Sequence, residues 1–138
     1  MAARSARAAQ AIAHLPEADP ALASLSLWCR IADGGTETKT KGQTVRIGED
    51  FAALPLREQI GALGHHILHI ALRHEQRMAA MAQRWGGGFQ AETYNLAADA
   101  IVNECLERAG HAVHHCRHNY PRRRSRGIHD RDYAQCGR

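Results

Sequence analysis

Apolar residues recur at helical spacing between Pro55 and a run of three glycines at 86–88, which predicts one long helix there. The apolar stripe of this helix consists of Ile60, Leu63, Ile67, Ile70 and Ala71. Pro55 suits the first turn of a helix, where its missing N–H costs nothing. Gly61 and Gly64 lie inside the helix at a cost of roughly 1 kcal/mol each relative to alanine. We therefore expect a neighbouring element to approach the helix backbone closely at these glycines, so that they seat the next helix.

A second amphipathic helix is predicted over residues 90–109, with Gly110 as its stop. Its expected apolar stripe consists of Leu96, Ala97, Ala100, Ile101, Glu104 and Cys105. Beside this stripe, Asn95, Asp99 and Asn103 form a polar line at i, i+4 and i+8. Such a line usually marks a solvated face. Because Asn and Asp are poor helix formers, a role other than helix formation is also to be considered for them.

The N-terminal third of the chain predicts a further helix and a small sheet. Residues 1–14 indicate a helix that ends at Pro16. Residues 22–32 alternate well enough to be a strand, with a short helix at their start as the alternative. Residues 36–47 are rich in β-branched side chains and predict one strand, or two short strands that reverse near Gly42. The expected fold class is α+β, mainly helical, with a small sheet or hairpin before the long helix.

Charge is distributed unevenly and suggests a boundary near Gly110. Residues 111–138 contain seven Arg and two Asp, whereas residues 1–110 contain 11 basic and 12 acidic groups. The last segment also lacks any helical or strand period. We therefore expect a folded domain over residues 1–110 and a basic, disordered tail over residues 111–138. The His- and Cys-containing tract at 114–118 and the Arg run after Pro121 are weak candidates for metal and phosphate contacts.

Composition excludes some classes of protein. Hydrophobic residues make up 44% of the chain, yet no apolar run approaches 18 residues, so no membrane span is predicted. The four cysteines form no CxxC pair, and no signal peptide is recognisable, which argues against a disulfide framework or a zinc ribbon. A cytoplasmic location is the expectation that follows.

His65 and His69 are the main candidates for chemistry, because residues four apart project from one helix face and can share a divalent metal ion. A catalytic zinc site needs a third protein ligand. On a continuous helix His74 would lie about 140° round from His69, and no glycine precedes it to turn the chain. Asp99 on the next helix is the better candidate. Asn95 and Asn103 could then orient it or a histidine.

Three segments of the chain resemble a known family, the bacterial putative metallopeptidase domain that usually lies upstream of a von Willebrand A-like domain. The segments are TKTKGQTVRIGEDF at 38–51, GHHILHIALRH at 64–74 and NLAADAIVN at 95–103. They are similar to the family's Thr-rich turn and strand, its HExxH-x4-H helix and its N-x-A-x-D-x-x-x-N helix. The resemblance covers roughly residues 20–110. It implies a zincin-like fold and zinc-dependent hydrolysis of a peptide or protein substrate.

One departure from the family concerns the catalytic position. The glutamate of HExxH is replaced by His66, so the resemblance places a histidine where the proton-transferring base stands. Histidine can act as a base near neutral pH, but beside zinc its protonated form is disfavoured and it brings no negative charge. Direct ligation of the metal by His66 is the alternative. In either case we expect metal binding to survive better than hydrolysis.

Three functions remain open from the sequence. The first is a zinc metallopeptidase with His65, His69 and Asp99 as ligands and His66 as a substitute base. The second is a non-catalytic, metal-bound relative that recognises an extended peptide or a protein partner. The third, least favoured, is nucleic-acid binding through the basic tail.

Overall fold

The computed structural model of the chain describes residues 5–113, which form six helices and three strands. In chain order the elements are α1 (Ala9–Ala18), α2 (Pro20–Ser26), β1 (Arg30–Asp33), β2 (Lys39–Lys41), β3 (Thr44–Ile47), α3 (Glu49–Ala52), α4 (Leu56–Ala71), α5 (His74–Trp85) and α6 (Ala91–Arg108), with a short 3₁₀ turn at Gly86–Gly88 between α5 and α6. The expected α+β class, mainly helical with a small sheet before the histidine helix, is confirmed.

The sheet has the strand order β1-β3-β2, so β2 is an edge strand. Strand β3 pairs in parallel with β1 and antiparallel with β2, and Val45 lies opposite both Ile31 and Thr40. The turn between β2 and β3 contains Gly42, whose φ of 60° favours glycine. Of the two arrangements predicted for residues 36–47, the pair of short strands is therefore confirmed.

The first 30 residues differ from the prediction. Helix α1 continues through Pro16 to Ala18, because the exposed proline removes only one intrahelical bond near the helix end. Helix α2 then follows at once, with Pro20 at its first turn and the Asp19 side chain accepting a hydrogen bond from Leu22 N. The strand predicted over residues 22–32 is confined to β1, and the alternative of a short helix at the start of that segment is confirmed.

Helix α4 lies at the centre of the fold and packs against α1, α2 and α6. All seven residues from Gly61 to Ile67 are buried. A Cβ atom added at Gly61 would lie 2.0 Å from the carbonyl oxygen of Ala112, and one at Gly64 would lie 2.9 Å from a methyl carbon of Leu22. The close approach expected at both glycines is therefore confirmed. The predicted next helix, α6, reaches only Gly64, through Leu106, whereas Gly61 is covered by the segment that follows α6.

The predicted long helix is in fact two helices, α4 and α5. The chain turns at Leu72 and Arg73, and Arg73 adopts the left-handed conformation with a φ of 56°. A single non-glycine residue in this conformation is uncommon and leaves no clear signal in the sequence. The assumption of a continuous helix from Pro55 to the glycine run is therefore wrong.

The apolar stripe predicted for α6 is also wrong. The buried residues of this helix are Ala98, Val102 and Leu106, whereas Leu96 and Ile101 are 54% and 52% exposed. Two lines of apolar residues run along α6 at helical spacing, the predicted stripe and the buried line. The sequence does not determine which of them packs against α4. The line that packs against α4 is the one adjacent to Asp99 and Asn103.

Contacts with the folded part continue three residues beyond Gly110. His111 Nε2 lies 2.8 Å from Asp19 Oδ2, Ala112 covers Gly61, and Val113 packs against the core. The rest of the predicted tail, including the tract at 114–118 and the Arg run, lies outside the described residues. Within the part that the structure describes, no helix combines the length and apolar character needed to cross a membrane.

Candidate metal centre

Helices α4 and α6 bring His65, His69 and Asp99 together. His69 Nε2 lies 2.9 Å from His65 Nε2 and 2.9 Å from Asp99 Oδ1, and His65 Nε2 lies 3.4 Å from the same carboxylate oxygen. The two histidines leave adjacent turns of α4, and Asp99 faces them from the third turn of α6. The residues selected by their spacing in the sequence thus converge on one point.

This triangle of atoms has the dimensions of a metal site. Zinc bound tetrahedrally at about 2.0–2.1 Å holds its ligand atoms roughly 3.3 Å apart, close to the three separations seen here. In the described part of the chain, these three residues form a group whose possible ligand atoms all lie within 4.8 Å of one another. The donor set of two imidazoles and one carboxylate therefore fits a zinc ion in both chemistry and size.

Asn103 orients the first histidine. His65 is 2% exposed, and its Nδ1 lies 3.0 Å from Asn103 Oδ1, one turn beyond Asp99 on α6. With Nδ1 donating to this oxygen, neutral His65 carries no proton on Nε2. The lone pair of His65 Nε2 then faces Asp99 Oδ1. Since both atoms are acceptors, a proton or a cation must lie between them. The expectation that Asn103 supports a histidine is consistent with this contact, whereas Asn95 is exposed.

The carboxyl group of Asp99 is held in its ionised form. Burial raises the pKa of Asp99. The imidazoles of His65 and His69 outweigh this effect, because in their protonated forms they donate hydrogen bonds to the carboxylate and carry positive charge. The pKa of Asp99 therefore lies well below its usual range. A carboxylate that stays ionised at physiological pH is available as a metal ligand without losing a proton first.

His66, the predicted substitute for the catalytic glutamate, is buried next to this group but does not belong to it. Its side chain is 2% exposed, and its Nδ1 lies 2.7 Å from Thr40 Oγ1 on the edge strand β2. The rings of His65 and His66 meet edge to face with centroids 5.5 Å apart. His66 is not among the residues whose ligand atoms converge, so its direct ligation of the metal finds no support in this geometry.

His74 lies much closer to the site than the sequence indicated. Because the chain turns at Arg73, His74 Nδ1 comes within 2.8 Å of His69 Nδ1. The 140° offset from His69 assumed a continuous helix, and that premise is wrong. The preference for Asp99 over His74 as the third converging residue agrees with the geometry, because His74 is not one of the three. Burial lowers the pKa of His74, and the positive charges of His69 and Arg77 lower it further.

Two other contacts near the site were missed from the sequence. Thr40 holds His66, and Glu75 at the start of α5 accepts a hydrogen bond of 2.5 Å from Gly42 N in the β2–β3 turn. Neither residue stands at a spacing that marks it as functional. The strand predicted for the segment around Thr40 was the one sequence feature that could have indicated a contact with the histidine helix.

The chain matches one protein-family model, described as "Putative metallopeptidase domain", over residues 3–132. The matched range extends beyond Gly110, where we expected the resemblance to end. No curated protein and no solved structure matches the chain. Since the family model covers nearly the whole chain, and two histidines and an aspartate converge as a metal site requires, this protein belongs to the putative metallopeptidase domain family.

Proposed function

We propose that this domain is a zinc-dependent metallopeptidase of the zincin type, with His65, His69 and Asp99 as the zinc ligands and with hydrolysis impaired by the histidine at position 66. The observation that carries the proposal is the convergence of two imidazole nitrogens and one carboxylate oxygen within 3.4 Å of one another. Three protein ligands leave a fourth zinc position for water or substrate, which is the pattern of a catalytic site.

Zinc is the favoured ion because of the donor set. Imidazole and carboxylate ligands in a small, half-buried triangle suit zinc, whereas calcium and magnesium prefer oxygen ligands only. When bound, zinc would polarise a peptide carbonyl and lower the pKa of a water molecule. The residues of the chain hold the ion, and Asn103 fixes the orientation of His65.

His66 takes the place of the base in this proposal. It is adjacent to His65 and is held through Nδ1 by Thr40, so its ring is oriented by the edge strand. A neutral imidazole can accept a proton, but it supplies no negative charge to stabilise the proton it has accepted. Hydrolysis is therefore slow compared with that of a relative that carries glutamate at this position.

The substrate class is an extended peptide or an unfolded protein segment. Strand β2 is an edge strand, and its residue Thr40 contacts His66 beside the candidate metal centre. A peptide added to such an edge would be held by main-chain hydrogen bonds, which depend little on its sequence. A cytoplasmic location, expected from the cysteine pattern, is part of the same proposal.

A second candidate function is a non-catalytic, zinc-bound module that recognises a peptide or a protein partner. The observation that favours it is His66 itself, which is buried and engaged with Thr40 where the family has an acidic base. This candidate keeps the zinc ligands and the edge strand but has no hydrolysis. The two candidates therefore differ only in turnover.

The test combines zinc analysis with cleavage of unfolded casein, on wild type, His65→Ala and His66→Glu. The control is His14→Ala, since His14 is an exposed histidine on α1 that bonds only its own helix at Gln10 O. We expect one zinc per chain and weak, chelator-sensitive cleavage in wild type and control. His65→Ala should lose both, and His66→Glu should raise the cleavage rate on the order of 10²–10⁴-fold.

Each outcome separates the candidates. Zinc without cleavage in wild type, together with cleavage in His66→Glu, would identify the non-catalytic module. Absence of zinc from wild type and from His66→Glu would refute both. Salt-sensitive nucleic-acid binding that persists in His65→Ala and is lost on deletion of residues 114–138 would favour a role of the basic tail.

A further inference from the structure

The second nitrogen of His69 has a partner of its own. While Nε2 of His69 faces His65 and Asp99, its Nδ1 lies 2.8 Å from Nδ1 of His74. His74 is 8% exposed, so this contact is shielded from water. Two imidazole nitrogens at this distance cannot both be bare or both protonated without repulsion, so one N–H donates a hydrogen bond to the other nitrogen.

Local structure places His74 at this position. The left-handed Arg73 ends α4 and starts α5 in a new direction, which brings the first residue of α5 back towards the last turn of α4. Glu75 then accepts a hydrogen bond from Gly42 N, which joins the first turn of α5 to the β2–β3 turn. The ring of Tyr94 on α6 meets the His74 ring edge to face. The His74 ring therefore lies between His69 and Tyr94, and the contact of Glu75 fixes the start of the helix that carries it.

The direction of the hydrogen bond follows from the metal site. For Nε2 of His69 to bind a cation it must carry a lone pair, and a neutral imidazole with a bare Nε2 carries its proton on Nδ1. His69 Nδ1–H is then the donor and His74 Nδ1 the acceptor. Without an acceptor at this position, His69 would keep its proton on Nε2, where the carboxylate of Asp99 accepts it at 2.9 Å.

We propose that His74 is a positioning residue, which accepts the Nδ1–H hydrogen bond of His69 and so fixes Nε2 of His69 as the metal-binding nitrogen. The inference rests on the proposed function in assuming that the site takes a divalent cation. With this role for His74, both proposed histidine ligands are oriented in the same way. Asn103 orients His65 through its Nδ1, and His74 orients His69 through its Nδ1. His74 is not among the residues of the described chain whose possible ligand atoms converge.

The first experiment measures zinc affinity by competition with a chelator in wild type, His74→Phe and His74→Asn. Phenylalanine keeps the ring volume and removes the acceptor, whereas the amide oxygen of asparagine can stand where Nδ1 stood. We expect His74→Phe to lower zinc affinity by about 10–100-fold and His74→Asn to restore most of it. His111→Phe is the matched control, because His111 is paired with Asp19 rather than with a proposed zinc ligand. It should leave zinc affinity unchanged.

Two results of this experiment would overturn the inference. One is equal zinc affinity in wild type and His74→Phe. The other is a loss in His74→Phe as large as that in His65→Ala with no rescue by asparagine, accompanied by a changed cobalt absorption spectrum. That combination would make His74 a ligand.

The second experiment needs no variant and is made on zinc-loaded wild type. Side-chain ¹⁵N chemical shifts at slightly alkaline pH report which imidazole nitrogens carry protons. With zinc bound, we expect a protonated Nδ1 on His69 and a bare Nδ1 on His74. A protonated Nδ1 on His74 would overturn the inference alone, because His74 could not then accept from His69. Failure of wild type to bind zinc would overturn the proposed function together with the inference.

Discussion

Helices α4 and α6 both contribute residues to the candidate metal centre, but they are packed differently. In α4 every residue from Gly61 to Ile67 is buried, because other elements cover the helix on several sides. In α6 only the line Ala98, Val102 and Leu106 is buried, and the remaining faces are largely exposed. His65 is therefore fixed by packing all round, whereas His69, one turn later on α4, is 17% exposed. The ligand of α6 is fixed by a single line of contacts next to it.

This difference determines what a substitution can reveal. On α6, removal of a polar group beside the buried line should affect the site without affecting the fold, and removal of a buried apolar group should affect the fold. On α4, function and packing cannot be separated in this way, because His65 and His66 belong to the same buried run as Gly61 and Gly64.

The largest effect is expected from Asp99→Ala, compared with Asn95→Ala one turn earlier on α6. Asp99→Ala removes a charged ligand, so zinc affinity should fall by more than the roughly 10–100-fold typical of a residue that only orients a ligand. Asn95 is exposed, and Asn95→Ala should leave zinc affinity within a few-fold of wild type. Isothermal titration with zinc measures both. Equal affinities in the two variants would remove Asp99 from the site.

The next effect concerns the stability of the metal-free protein and uses two leucines of the same helix. Leu106 is 1% exposed and contacts α4 at Gly64, whereas Leu96 is 54% exposed. Leu106→Ala should lower the free energy of unfolding by about 2–5 kcal/mol. Leu96→Ala should change it by less than about 0.5 kcal/mol. Urea denaturation provides the measurement, and a larger loss in Leu96→Ala would mean that the opposite face of α6 is the packed one.

The three converging residues of the candidate site were predictable from the sequence, whereas the buried face of α6 was not. His65 and His69 follow a fixed rule of helix geometry, and Asp99 was then selected by its place in a polar line at the same spacing. The stripe of α6 follows the same spacing rule, but two apolar lines satisfy it. The position of His74 depended on one backbone conformation at Arg73, which the residue type does not specify.

A smaller effect on stability is expected where α4 is covered by the segment that follows α6. A Cβ at Gly61 would lie 2.0 Å from the carbonyl oxygen of Ala112, so Gly61→Ala must displace residues 111–113. We expect a loss of about 1–3 kcal/mol in the free energy of unfolding. Gly87→Ala is the control, since a Cβ there meets nothing within 4 Å. Similar losses in the two variants would contradict the close packing of Ala112 on α4.

The smallest effect is a pH dependence that tests how this covering segment is held. Burial raises the pKa of Asp19, but hydrogen bonds from Leu22 N and His111 outweigh it, so the pKa of Asp19 lies below its ordinary value. A carboxyl group of this kind stabilises the fold above its unfolded pKa of about 3.9 and loses that contribution as the pH falls through its folded pKa.

Asp19→Asn removes the charge but keeps a residue that caps α2 equally well. At neutral pH wild type should therefore exceed Asp19→Asn by about 1 kcal/mol in urea denaturation, and the difference should shrink as the pH falls below about 4. A difference that stays constant down to low pH would show that the ionised carboxylate of Asp19 does not hold residues 111–113 against the fold.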